Sequence, residues 1–190
     1  MARPRFASTD FLAAARALAR KHGPAAVTVG SVIGHMGAPA GSFYYRYASR
    51  DLLLGELWLE TVLAFQQGFL AAIEAGDGLA AALHTPAWAR ENLEDARLLL
   101  LHRRSDFIHG DWPEELRNGV IRQEETMKAA VTRFAQATLG DAAPDNLRRA
   151  RFALIEVPLA AVRMHLECCE PPPPLASELI RLTYDAVIGR

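Results

Sequence analysis

Apolar residues in this 190-residue chain recur at three- and four-residue intervals along almost its whole length. Nowhere do valine, isoleucine and threonine alternate with polar residues between turn dipeptides. That periodicity requires amphipathic helices and leaves no convincing strand, so the expected fold class is all-α. Ser8, Thr9 and Asp10 are candidate N-caps for a first helix in which Phe11, Leu12, Ala15, Leu18 and Ala19 share a face, ended by Gly23-Pro24. Thr28 caps a short second helix containing Val29, Val32, Ile33 and Met36, which stops at Gly37. A third short helix is predicted from about Pro39 to Tyr45, with proline near its first turn, where a missing N–H costs nothing. Ser49 caps a long helix reaching about Ala75. Further helices are predicted over 79–84, 86–109, 113–139, 145–169 and 175–188. Their breaks fall at Thr85-Pro86, between Gly110 and Pro113, between Gly140 and Pro144, and at Pro171 to Pro174, a rigid connector.

The chain is long enough to bury a core as one compact domain or as a small domain fused to a larger one. Its two cysteines are adjacent, Cys168 and Cys169, which points to a reducing compartment, the cytoplasm, rather than a disulfide scaffold. No apolar stretch is long enough to cross a bilayer, and none reads as a signal peptide. A formal net charge of −1 argues at first against a nucleic-acid partner. Distribution reverses that impression. Met1 to Gly55 holds seven bases (Arg3, Arg5, Arg16, Arg20, Lys21, Arg46 and Arg50) and two acids, and is +5; the remainder is −6. Such asymmetry suggests a basic module that meets a polyanion and an acidic module that does not.

Three short helices with a tight second-to-third connection at Gly37 have the layout of a helix-turn-helix. The run from Gly37 to Asp51 supplies its chemistry. Phe43 faces the module's small core; Ser42, Tyr44 and Tyr45 offer hydroxyls, and Arg46 and Arg50 offer cations, to phosphates or base edges. Here the sequence resembles the TetR family of transcriptional regulators. A glycine, small or polar residues, an aromatic-rich run with a basic residue, and a Ser-initiated cap all lie between Gly37 and Asp51. Thr28-Val29, Val32-Ile33 and the helix ending in Lys21-His22-Gly23 extend the resemblance to about residues 8–55. It implies an N-terminal helix-turn-helix head, residues 1–50 and extending into the helix that starts there, on a helical effector-binding and dimerisation domain, 51–190. It further implies that Thr28, Ser42, Tyr44 and Arg50 contact phosphate, while Ala38, Pro39, Ala40 and Tyr45 meet base edges of a double-stranded operator. Gly30 and Ala40 stand where the family often has a basic or polar side chain. Base selection then leans on Tyr45, Arg46, thymine methyls or DNA shape.

In 145–169 one stripe is Ala150, Leu154, Val157, Ala161, Met164 and Cys168, and a second is Phe152, Ile155, Leu159, Val162 and Leu166. In the last helix Leu175, Leu179 and Leu182 form one stripe and Ile180, Tyr184, Val187 and Ile188 another. Helices apolar on two faces are buried on two faces, against their own domain and a second copy, or else wholly inside a monomer. The first alternative is an intersubunit four-helix bundle, with Leu154, Val157, Ala161, Met164, Cys168, Leu179 and Leu182 as interface candidates. The middle helices are rich in large side chains, including Trp58, Trp112 and Phe134, and most are core material. By the resemblance, some line a pocket for a small apolar or amphipathic effector, with Phe65, Phe69, Trp88, His102, Phe107 and Met127 as candidates. An effector there is expected to shift the helix 51–75, release DNA and so relieve repression.

His102, Asp106 and His109 share a helix face, and His165 lies near Cys168 and Cys169, but neither set completes a metal site. No phosphate-binding glycine loop or serine-nucleophile elbow occurs, and no cofactor is expected. The expected function is therefore a ligand-responsive, dimeric DNA-binding regulator and not an enzyme. A helical-bundle enzyme or a helical interaction protein is the alternative.

Overall fold

The structure, a computed structural model, describes residues 6–108 and 113–189. Arg3, Arg5, His109 and Trp112 lie outside the described residues. Every regular element among those described is a helix, and none is long and apolar enough to cross a membrane. The chain divides into two compact units, one of Met1–Thr61 with His102–Val120, the other of Val62–Leu101 with Ile121–Arg190. The division falls inside the long helix α4 (Arg50–Glu74). Its first turns are bonded to the head: Arg50 to Val27 and Pro24, and Glu60 and Thr61 to Arg16.

In the first unit, α1 (Ser8–His22) begins one residue ahead of the expected cap. Ala7 is the N-cap, and the Asp10 carboxylate accepts its N–H at 2.7 Å, so Asp10 serves from the first turn. Phe11, Ala15 and Ala19 are buried along α1, which ends at Gly23. After a single 3₁₀ turn (Pro24–Ala26), α2 (Val29–Met36) starts at Thr28 as expected. Thr28 Oγ1 accepts from the Ser31 N–H at 3.0 Å, and Ser31 Oγ accepts from the Thr28 N–H at 2.8 Å. The short α3 (Ala40–Tyr44) then places Phe43 edge-on to Phe11, with ring centroids 5.8 Å apart. Tyr47 packs beside both rings. The unit also holds α7 (Arg104–Phe107) and the start of α8 (Glu114–Leu139).

The second unit is built from the rest of α4 and α8 with α5 (Gly78–Glu91), α6 (Leu93–Leu101), α9 (Pro144–Arg151), α10 (Val157–Glu167) and α11 (Pro174–Val187). Phe69, Ala82, Phe134, Leu154 and Ile180 form its main core, and Trp88, Ala89, Ala96, Val162 and Leu166 a second cluster. Gly78 is set by space, because a Cβ there would overlap the Phe134 ring and the Tyr184 hydroxyl.

Two expectations fail here. Helix α5 runs through Thr85-Pro86 instead of breaking there. A proline inside a helix costs about 3 kcal/mol, and seating Pro86, Trp88 and Ala89 in the interior offsets a loss of that size. The predicted 86–109 helix is instead interrupted after Glu91, where the Asn92 side chain donates to the Trp88 carbonyl at 3.2 Å, and again after Leu101. The predicted 145–169 helix contains a π-helical segment, Phe152–Glu156, in which the Val157 N–H reaches the Phe152 carbonyl five residues back. Pro158 explains the widening. It has no N–H for the Leu154 carbonyl, and its ring would crowd that carbonyl in a regular α-helix.

Tyr47 is 3% exposed, and its hydroxyl donates to the Ser8 carbonyl at 3.3 Å. Burial foremost, then the Glu56 and Glu60 carboxylates, push its phenol well above the ordinary value. A raised pKa favours the folded state while the phenol is neutral, and that contribution is lost as pH rises above about 10. Tyr47→Phe is therefore expected to flatten the alkaline fall in stability. Urea midpoints at about pH 8 and about pH 11 measure it, and an equal fall in both proteins would remove Tyr47 as its source.

Candidate nucleic-acid interface

The interface is organised by the turn between α2 and α3. Gly37 sits at φ 61°, in the left-handed region that a Cβ disfavours. The chain reverses there: the Ala38 N–H returns to the Ile33 carbonyl at 2.9 Å, and Pro39, extended, starts α3. Once Phe43 is buried in the head, the two following residues must face outward. Tyr44 is 62% exposed and Tyr45 76%. Neither phenol makes a hydrogen bond among the described residues. The Arg46 guanidinium lies 5.2 Å from the centroid of the Tyr45 ring, a cation–π arrangement. Arg46 Nε is enclosed and has no hydrogen-bond partner. Pro39 and Ala40 are exposed beside them, and Ala38 is half-buried.

The hydroxyls and cations expected to meet phosphate are not equally available. Ser42 donates its proton to the Pro39 carbonyl at 2.6 Å, and Thr28 spends its oxygen on the cap of α2. Arg50 differs most from expectation. Its Nε donates to the Val27 carbonyl at 2.6 Å, Nη2 to the Pro24 carbonyl at 3.1 Å, and Nη1 pairs with Asp51 at 3.0 Å. The residue is a half-buried clamp on the α1–α2 connection. Nothing in the sequence marks this apart from an arginine placed to face the loop around Pro24.

The effector candidates are divided between the two units. His102 and Phe107 belong to the first unit, where Phe107 is buried and His102 Nδ1 lies 3.8 Å from Asp106. Phe69 is in the main core of the second unit, and Phe65 stacks edge-on to Trp88 at 5.2 Å in the other cluster. Met127 lines an open hollow of about 480 Å³, described below. No group of three or more metal-ligating side chains occurs among the described residues.

Of the dimer candidates, Leu154 is wholly buried in the core of its own unit and offers no surface to a partner. The π segment is the reason. One extra residue in the turn rotates the helix beyond it, so the stripe read at uniform α spacing does not stay on one face. Val157 and Ala161 pack partly against the main core, whereas Met164, Cys168, Leu179 and Leu182 are exposed, as is Leu175.

The head thus has the elements of a helix-turn-helix DNA-binding module: a capped second helix, a left-handed glycine turn, and a short third helix with outward aromatic and basic side chains. Residues 11–57 match the sequence model described as bacterial regulatory proteins, tetR family. No curated protein matches the chain. Among solved structures, one assigned to the tetR family of transcription regulators from Shewanella sp. PV-4 has a TM-score of 0.69 at 13% identity, covering 97% of each chain. A bacterial regulatory protein in the tetR family from Rhodococcus RHA1 has a TM-score of 0.63 at 20% identity, covering 95% of this chain and 96% of that one. A third, assigned to the same family from Mesorhizobium loti MAFF303099, has a TM-score of 0.58 at 16% identity over 96% and 93%. Residues 11–57 are thus similar to the TetR-family helix-turn-helix domain, and the chain as a whole has the fold of structures assigned to that family.

Replacing Arg50 by alanine is expected to destabilise the protein by about 1.5–3 kcal/mol, the usual worth of a hydrogen bond to a charged group. Urea unfolding measures this; a change below about 0.5 kcal/mol, typical of a surface site, would deny Arg50 the clamp role.

Proposed function

We propose that this protein is a cytoplasmic transcriptional repressor that binds a palindromic operator as a homodimer and releases it on binding a small apolar or amphipathic effector. The observation that carries the DNA reading is the outward set Tyr44, Tyr45 and Arg46 on a helix-turn-helix head. Tyr45, Pro39 and Ala40 are suited to base edges and thymine methyls, and Tyr44 and Arg46 to phosphate. In this reading the functional domains divide at residue 50: 1–50 is the head, and 51–190 binds the effector and the second copy. The acidic body disfavours approach by any other face.

Dimerisation is supported by the large apolar side chains on α10 and α11. Met164, Leu175, Leu179 and Leu182 are each more than half exposed, and Leu175, Leu179 and Leu182 recur at helical spacing. A two-fold pair of such faces buries them, and a two-fold pair of heads matches the symmetry of a palindromic operator.

Selection from random double-stranded DNA is expected to enrich a palindrome; failure to enrich any would remove the operator reading. On that site, Arg46→Ala should lower the slope of log affinity against log salt by about one phosphate, and Arg50→Ala should leave the slope unchanged. The opposite pattern would return the phosphate role to Arg50. The double substitution Leu179→Glu, Leu182→Glu should yield monomers in sedimentation velocity and weaken operator binding. A dimer that survives it would place the interface elsewhere.

A further inference from the structure

The second unit contains a hollow of about 480 Å³ whose inner wall is Gln66, Met127, Val131, Leu147 and Ile155. That volume lies in the range of small-molecule sites. Gln66 is the unusual member. It sits on α4 in the apolar sequence of Val62, Phe69 and Ile73, is 8% exposed, and its side-chain amide makes no hydrogen bond among the described residues. Two other uncharged polar residues line it: Gln123, half-buried and so nearer the opening than Gln66, and Thr132, whose hydroxyl already donates to the Lys128 carbonyl at 2.9 Å. Charge is confined to exposed residues: Glu124, Lys128, and Arg151, whose Nε bonds Glu156 at 3.0 Å. Arg151 and Ile155 flank and enter the π segment, a helical form that recurs at functional sites.

We infer that this hollow is the effector site, and that it selects an uncharged amphipathic molecule: an apolar body carrying one hydroxyl or carbonyl that hydrogen-bonds the Gln66 amide. The inference rests on the effector-responsive reading above and gives it a location and a ligand class. A neutral amide both donates and accepts, so it satisfies a hydroxyl or a carbonyl. A carboxylate or an ammonium at the same depth would meet no counter-charge, because the cations and the acid stand at the exposed rim. Met127, Val131, Leu147 and Ile155 contribute contact to the apolar body.

A matched set tests the assignment: naphthalene, 2-naphthol, 2-naphthoate and 2-naphthylmethylammonium, titrated calorimetrically into the full chain. The expected result is 2-naphthol about three- to tenfold tighter than naphthalene, the span of one neutral hydrogen bond, with both ions weaker. Gln66→Leu should abolish the naphthol advantage and retain naphthalene binding. Val131→Trp should fill the hollow and abolish binding of the whole set. Tightest binding by either ion, a naphthol advantage that persists in Gln66→Leu, binding that survives Val131→Trp, or no saturable binding would each overturn the assignment. Operator affinity with and without 2-naphthol is read separately. A Gln66-dependent ligand that leaves DNA binding unchanged would overturn the effector assignment and leave the DNA-binding reading intact.

Discussion

The packing of Phe43 against Phe11 and Tyr47 is the contact on which the head's outward chemistry depends. Burying a phenylalanine is worth roughly 1.5–3 kcal/mol, and in a five-residue helix it also fixes rotation. With one ring pinned inward, the next two residues have no inward direction left, so Tyr44 and Tyr45 are presented to solvent by geometry. Gly37 sets where that helix begins, and the Arg50 clamp fixes the loop from which α2 departs. Removing either would leave the aromatic core with the right residues and the wrong orientation.

Arginine has a second use in this chain that a charge count conceals. Arg50 caps the carbonyls of Pro24 and Val27; Arg90 caps those of Pro172 and Pro173 and also reaches Ser177 at 2.6 Å; Arg97 caps that of Leu166 at 3.0 Å. Prolines contribute carbonyls without matching N–H groups, and helix ends leave carbonyls orphaned. A guanidinium, with several donors in a fixed fork, is suited to such places. The head's +5 therefore overstates the cations available to a polyanion, since Arg16 and Arg50 are bonded internally.

Much of the architecture is local and was legible for that reason. Thr28, Gly37, Ser49 and Gly76 act within a few residues of themselves, so the bounds of α2 and α4 follow from sequence. What escaped depends on distant partners. Pro86 stops a helix in isolation but not where its ring is buried, and Arg50 reads as a free cation until the carbonyls of Pro24 and Val27 are placed beside it. Leu154 was misplaced because uniform periodicity cannot register a π turn, although Pro158 was a visible warning. Gln66 carried a readable signal, an amide where the stripe calls for a hydrocarbon, and only the hollow gives it meaning.

The Arg46–Tyr45 stack has a thermodynamic side as well. A free arginine side chain surrenders about 2 kcal/mol of rotamer entropy when it is immobilised on a partner. Here the guanidinium already rests over an aromatic face, with its Nε enclosed. Part of the disorder is gone before anything docks, so whatever anion meets this surface meets a rotor already stilled. The tyrosine is thereby a contact in its own right and a splint for the cation beside it.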